Sequence, residues 1–200
     1  MIVSKEFNLR AVSKEFNIRV ENIVASASFG VKIPLEKVVS KLEGMEYEPE
    51  QFPGLVYRMK DPKAAALIFG SGKVVCTGAR SIADVKTVFK KVVDVVSRSG
   101  VKVPNEFKTQ VENIVASAKL DGTLKLDMIA FNLENSEYEP EQFPGLVYRM
   151  KEPKVAFLLF GSGKVVCTGG RSVRDVGIAV QKVSKKLKSI GALVKPKPVK

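Results

Sequence analysis

The sequence predicts an α+β fold built twice on one plan. Three observations carry that prediction. Shifted by 91 residues, the chain lies on itself: "VENIVASA" at 20–27 returns at 111–118, and "FGSGKVVCTG" at 69–78 returns at 160–169. A period this long marks a duplicated domain, not a solenoid repeat. Within each copy, short runs with the two-residue period of strands lead into one long run with helical spacing.

The elements of the first copy follow in order. A strand over 20–27 precedes a short helix over 35–42, apolar at Leu35, Val38, Val39 and Leu42. Strands follow near 46–49, 55–60 and 64–69. The Gly70-Ser71-Gly72 turn makes a hairpin into a fifth strand at 73–78. A long helix starts after Ser81, whose hydroxyl suits an N-cap while Asp84 sits in the favoured first turn. Its apolar positions are Ile82, Val85, Val88, Phe89, Val92 and Val96. The second copy repeats the plan with Ser172, Asp175, Val173, Val176, Val180, Val183 and Leu187. The expected organisation is an arm (1–17), a first repeat (18–98), a linker (99–108), a second repeat (109–190) and a basic tail (191–200). The arm holds its own duplication, "VSKEFNLRA" at 3–11 followed by "VSKEFNIRV" at 12–20. Nine is odd, so a continuous strand would swap faces between the copies, and a solvated arm is expected instead.

Composition narrows the function classes. Lys and Arg outnumber Asp and Glu by 33 to 21, a net charge of +12. That balance favours a polyanionic partner, nucleic acid first and an anionic membrane surface second. No run approaches the ~18 apolar residues of a membrane span, and the start carries Glu6 with no secretory pattern. Cys76 and Cys167 occupy equivalent strand positions, which predicts buried reduced thiols. There is no histidine, and no cofactor or metal is expected. "GSGK" lacks the spacing of a phosphate-binding loop, and a strand follows it. Glu48 and Glu50 have no nucleophile beside them in the pattern, so an enzyme is not expected.

Comparison of the copies separates two sheet faces. In the fourth strand, positions 64, 66 and 68 differ from 155, 157 and 159, whereas 65, 67 and 69 match 156, 158 and 160. Alternation of that period puts the invariant residues on one face. Parity extends the face to Asn22, Val24 and Ser26, to Val56, Arg58 and Lys60, to Leu67 and Phe69, and to Lys73, Val75 and Thr77. Each returns 91 residues later, as Asn113, Val115, Ser117, Val147, Arg149, Lys151, Leu158, Phe160, Lys164, Val166 and Thr168. Two helices cover one face of five strands, so the other stays open. A sandwich of the two open faces would strand their polar groups. An apolar centre with amide and hydroxyl groups and a basic rim suits the minor groove of A·T-rich DNA, which offers acceptors and no exocyclic amine. Phe52, set between Pro49 and Pro53, and Phe69 are either wedges for base steps or aromatics folded onto their own hairpin.

"YEPEQFPGLVYRM" and "SGKVVCTG", each present twice, closely resemble the TATA-box-binding protein family, above all its archaeal branch. The resemblance covers roughly residues 18–190. It implies a saddle-shaped, ten-stranded antiparallel sheet with four helices on the convex face. It also implies binding of the TATA element in the minor groove, kinking of the DNA, and recruitment of transcription factor B and, through it, RNA polymerase. By motif, the intercalating pairs fall on Phe52 with Phe69 and Phe143 with Phe160. The central amides fall on Asn22 and Asn113, the hydroxyls on Thr77 and Thr168. Val24, Val75, Leu67 and their repeats line the groove, and Arg58, Lys73, Arg149 and Lys164 meet phosphates. Glu139, Glu141 and Gln142 match the surface for transcription factor B. The implied location is the archaeal cytoplasm at the nucleoid, or the nucleus of a eukaryote. The chain departs from the family in its duplicated arm and in a basic end where several archaeal relatives are acidic. The rival expectations are a protein-binding adaptor using the open face, a non-specific DNA-bending protein, and a homodimer that covers the face without DNA.

Overall fold

Antiparallel strands in two arrays of five form the framework of this protein. The computed structural model describes residues 8–40 and 44–195. The chain divides into two compact units, Glu21–Asn113 and a second made of the residues up to Val20 with those from Ile114 onward.

In the first unit the strand order is β2 (Met45–Glu46), β3 (Gly54–Met59), β4 (Ala64–Phe69), β5 (Lys73–Ala79) and β1 (Arg19–Ser28). Strand β4 alternates strictly, with Ala64, Ala66 and Ile68 buried and Ala65, Leu67 and Phe69 half-exposed. In β4 the face that differs between copies is therefore the buried one. It packs beneath α3 (Ile82–Arg98), with α2 (Leu35–Val39) against α3 and β3. Helix α3 starts where its cap predicts: Ser81 Oγ accepts the backbone N–H of Asp84 at 3.0 Å. Val85, Val88, Phe89, Val92 and Val96 are buried, but Ile82 is 41% exposed and adds nothing to the core. Helix α2 ends at Val39, and Leu42, expected in it, lies outside the described residues.

The second unit repeats this with β6 (Lys108–Lys119), β11 (Lys164–Gly170), β10 (Val155–Phe160), β9 (Gly145–Met150) and β8 (Ser136–Glu137) in that order. Its helices are α4 (Leu126–Asn132), against β8 and β9, and α5 (Val173–Ser189), against β11. Ser172 Oγ caps α5 on the N–H of Asp175 at 3.0 Å. Near the chain end, β12 (Leu193–Val194) pairs with β7 (Thr123–Leu124), and Lys195 meets Asp121 at 3.1 Å. The rest of the expected basic tail, 196–200, lies outside the described residues, as do 1–7 of the arm.

Four helices were expected, and the described residues hold five. The additional one, α1 (Leu9–Glu15), lies in the duplicated arm and packs on α5. The two copies of "KEFN" explain it. Asn8, ending the first, caps α1 by accepting the N–H of Ala11 at 3.1 Å. Asn17, ending the second, takes φ +46, a left-handed position that asparagine tolerates. Ile18 N–H then bonds Ser13 O at 2.9 Å and Asn17 N–H bonds Lys14 O at 3.4 Å, which closes a Schellman motif. Val12 and Phe16 are buried, and Phe16 O accepts the N–H of Lys119 at 2.8 Å. The arm is thus docked, not solvated, from Asn8 onward.

The internal repeat also reaches further back than residue 20. Val12, Glu15 and Phe16 have Val103, Glu106 and Phe107 as partners at the same 91-residue shift. Phe107 packs edge-on against Phe29 of the first unit, with ring centroids 4.7 Å apart. Each lead-in segment thus supplies an aromatic anchor, Phe16 to the second unit and Phe107 to the first.

Candidate nucleic-acid interface

The open face is built in each unit from the same parity positions. In the first unit Asn22, Val24, Val56, Leu67, Phe69, Val75 and Thr77 are half-exposed, and Arg58 and Lys73 are exposed. In the second, Val115, Val147, Leu158, Phe160, Val166 and Thr168 are half-exposed, and Arg149 and Lys164 are exposed. Asn113, the last residue of the first unit, is likewise half-exposed. None of these is a buried position of the kind a sandwich core needs. Cross-strand pairing gathers them: Val56 opposes Leu67, Leu67 opposes Val75, and Arg58 and Thr77 both oppose Ala65. In the second unit Leu158 lies between Val147 and Val166, and Ala156 between Arg149 and Thr168.

Two glycines outside the expected set sit at matching bulges, and Gly78 orients a polar group of the open face. A bulge sits in β5 where Ile23 pairs with Ala79 and Ala25 with Cys76, and a matching one sits in β11 between Thr168 and Gly170. Gly78 and Gly169 occupy the extra positions at φ +89 and +100. The N–H of Gly78 donates to Asn22 Oδ1 at 2.7 Å. A donor at that distance requires oxygen there, so Nδ2 is directed to Thr77 Oγ1, 3.5 Å away. The second N–H of that amide remains to meet an acceptor on the open face. Ser26 Oγ donates to Glu112 Oε1 at 2.6 Å.

The phenylalanines form edge-to-face pairs. Phe52 and Phe69 have ring centroids 5.7 Å apart at 65°, and Phe143 and Phe160 are 5.9 Å apart at 67°. Phe52 is half-buried and Phe143 is 40% exposed. Each leading ring is placed by one turn of chain, in which Glu48 O accepts the N–H groups of Gln51 and Phe52, and Glu139 O those of Gln142 and Phe143. A glycine lies beneath each pair. A Cβ on Gly54 would stand 2.7 Å from Phe52 Cε1 and 3.0 Å from Phe69 Cε1, and one on Gly145 would stand 2.6 and 3.0 Å from the matching atoms. The Pro-Gly step therefore leaves room for two rings. The legible signal was "FPG" repeated ahead of a strand, but which atoms need the space depends on β3 pairing with β4.

The arginines expected to meet phosphates have intramolecular partners. Arg58 bonds Glu46 through two nitrogens at 3.4 Å each, and Arg149 approaches Glu137 at 3.7 Å. All four side chains are at least 60% exposed, so these pairs are weak and exchangeable. Lys73 and Lys164 lie beside the hairpin turns, where Ser71 and Ser162 hydroxyls accept their backbone N–H groups at 3.4 and 3.3 Å. Glu139, Glu141 and Gln142 are exposed on the loop between β8 and β9. Burial pushes the thiol of Cys76 up to about 11, with Asp84 adding to the shift, and that of Cys167 up to about 12. Both are free and buried, as expected. No helix among the described residues is long and apolar enough to cross a membrane.

Known proteins resemble this arrangement over most of its length. The sequence profile of the family described as "Transcription factor TFIID (or TATA-binding protein, TBP)" matches residues 17–99 and 108–190. The chain is 55% identical to a TATA-box-binding protein of Methanobrevibacter smithii, over 86% of this chain and 96% of that protein. It is 56% identical to one from Methanothermobacter thermautotrophicus, over 85% and 94%. Among solved structures, Methanococcus jannaschii TBP superposes with a TM-score of 0.81 at 48% identity, covering 86% of this chain and 98% of that one.

Proposed function

The chain belongs to the TATA-binding protein family, matched through both repeats, and we propose that it binds the TATA element through the open faces of its two sheets. It is a general transcription factor of a family without enzymatic activity. One observation carries the reading: where β4 and β10 differ, at 64, 66 and 68 against 155, 157 and 159, the changed positions are buried, whereas the half-exposed positions are identical. Packing constrains buried residues, so identity on the exposed side points to a ligand.

The chemistry of the face matches a minor groove of A·T pairs. Val24, Leu67, Val75 and their repeats offer flat apolar surface where a guanine amine would lose its water without a partner. The Asn22 amide, its oxygen occupied by Gly78, donates to the acceptors on the groove floor. Phe52 with Phe69, and Phe143 with Phe160, enter base steps and kink the duplex, a mechanism already known for the family. Lys73 and Lys164 neutralise phosphates, as do Arg58 and Arg149 once their glutamate pairs open. Glu139, Glu141 and Gln142 dock transcription factor B, which brings RNA polymerase. The place of action is the DNA, in an archaeal cell the nucleoid.

Competition among a TATA duplex, a scrambled duplex and duplexes with guanosine·cytosine or inosine·cytosine in place of A·T tests this reading. The TATA duplex beats the scrambled and guanosine duplexes by tenfold or more, and the inosine duplex, lacking the exocyclic amine, outcompetes the guanosine duplex at the same positions. With four to six phosphates neutralised, the log–log salt slope is roughly −3.6 to −5.4. Equal binding to all duplexes, or a slope near zero, would overturn it.

A further inference from the structure

Helix α4 presents an aromatic side chain to solvent. Phe131 is 90% exposed, the most exposed large apolar residue among those described. The inward face of α4 is Leu126 and Ile129, continued by Leu133. Phe131 stands roughly 200° around the helix from Ile129, on the outward side. The fold makes little use of it. The equivalent residue of the first repeat, 91 positions earlier, is Ser40, exposed and bonded through its hydroxyl to Lys37 O at 3.2 Å.

We propose that Phe131 is the contact by which a protein partner tells the second repeat from the first, and that the partner offers an apolar pocket rimmed by lysine or arginine. The inference rests on the reading of the 139–142 loop as a docking site. That loop cannot label the repeats, because Glu48-Pro49-Glu50-Gln51 and Glu139-Pro140-Glu141-Gln142 are identical. Lysines of the long helices do not all label them either: Lys91 reaches Asp61 O as Lys182 reaches Glu152 O. Phe131 against Ser40 is the difference that adds an exposed aromatic next to the loop, beside the change from Lys37 to the half-buried Met128. Helix α4 packs on β8 and β9, the two strands that the loop joins, so the ring and the loop carboxylates lie on adjoining elements.

Charge names the chemistry of the occupant. Asp127 stands one helical turn before Phe131 on α4, Glu134 follows just past the helix end, and both are exposed. Glu139 and Glu141 extend the acidic surface. An acidic rim about one aromatic, on a chain of net charge +12, selects a basic partner with an apolar recess.

The test uses the full chain on a TATA duplex, with purified archaeal transcription factor B as the probe. Phe131→Ser raises the dissociation constant of the probe from the complex tenfold or more, while DNA binding without the probe stays within twofold. The exchange Phe131→Ser with Ser40→Phe reverses the preferred orientation, read by a DNA-cleaving reagent tethered at position 139. If Glu139→Ala and Glu141→Ala weaken the probe but Phe131→Ser leaves it within twofold, this inference fails and the docking loop stands. If neither set weakens it, the docking loop fails as well. If Phe131→Ser instead dissolves a homodimer seen by sedimentation without affecting the probe, the occupant is a second copy and the inference is overturned.

Discussion

The backbone N–H of Gly78 and the side-chain oxygen of Asn22 lie 2.7 Å apart, and that bond decides which way the amide faces. With Oδ1 occupied, Nδ2 is the group offered to a ligand. Asn22→Asp keeps an acceptor for Gly78 and loses the donor. The expected result is an unchanged melting temperature with TATA affinity lowered by roughly 1–3 kcal/mol, the typical cost of one spoiled base contact. Fluorescence anisotropy and thermal unfolding read the two quantities separately.

Gly54 tests the phenylalanine pair without removing it. A methyl group there meets Phe52 Cε1 at 2.7 Å, so the ring must leave its rotamer. Gly54 is not at positive φ, so the backbone accepts alanine. Gly54→Ala should cost about 1 kcal/mol of stability and reduce the bend at one end of the element. Energy transfer across a doubly labelled duplex reports the angle. An unchanged angle in the Gly54→Ala, Gly145→Ala double variant rules out the wedge role.

Glu46 and Glu137 restrain the arginines of the open face. Replacing either with glutamine releases Arg58 or Arg149 from an exposed pair worth roughly 0.2–1 kcal/mol. DNA affinity should rise by about that amount per site, with a salt slope steeper by ~0.9 for each added phosphate contact. Titrations at several salt concentrations measure both.

The arm belongs to the stability of the second unit. Phe16 is 3% exposed, and its carbonyl holds the N–H of Lys119. Phe16→Ala should cost about 3–5 kcal/mol. Hydrogen exchange at Lys119 should accelerate before exchange in β3 to β5. Equal acceleration throughout the chain would mean that the arm stabilises both units alike.

The thiols give a pH dependence of definite sign. Their folded values are raised from 9.0 to about 11 for Cys76 and about 12 for Cys167. The unfolded chain therefore releases these protons first, and stability falls as pH climbs above 9.0 through the folded values. Below 9.0 they contribute no pH dependence. Urea unfolding at pH 8 and pH 10 should show a loss that is smaller in a Cys76→Ala, Cys167→Ala variant. Thiol reagents at pH 8 should label the chain only after unfolding.

What the sequence determined by itself is whatever a local or periodic rule specifies. The caps at Ser81 and Ser172 depend on three residues of chain. The faces of β4 and β10 follow from a two-residue alternation read against an internal copy. The tertiary structure decided what depends on neighbours brought from afar. The duplicated asparagine of "KEFN" has two fates, since Asn8 opens α1 and Asn17 closes it, with Val12 and Phe16 buried between them. Ile82 has helical spacing yet stays exposed, because it stands in the first turn, before the face that packs on the sheet. The pairing of Arg58 with Glu46, the bond from Gly78 to Asn22 and the space above Gly54 each join residues on different strands or loops. Their distances are set by register and bulges, which arise only when the strands pair.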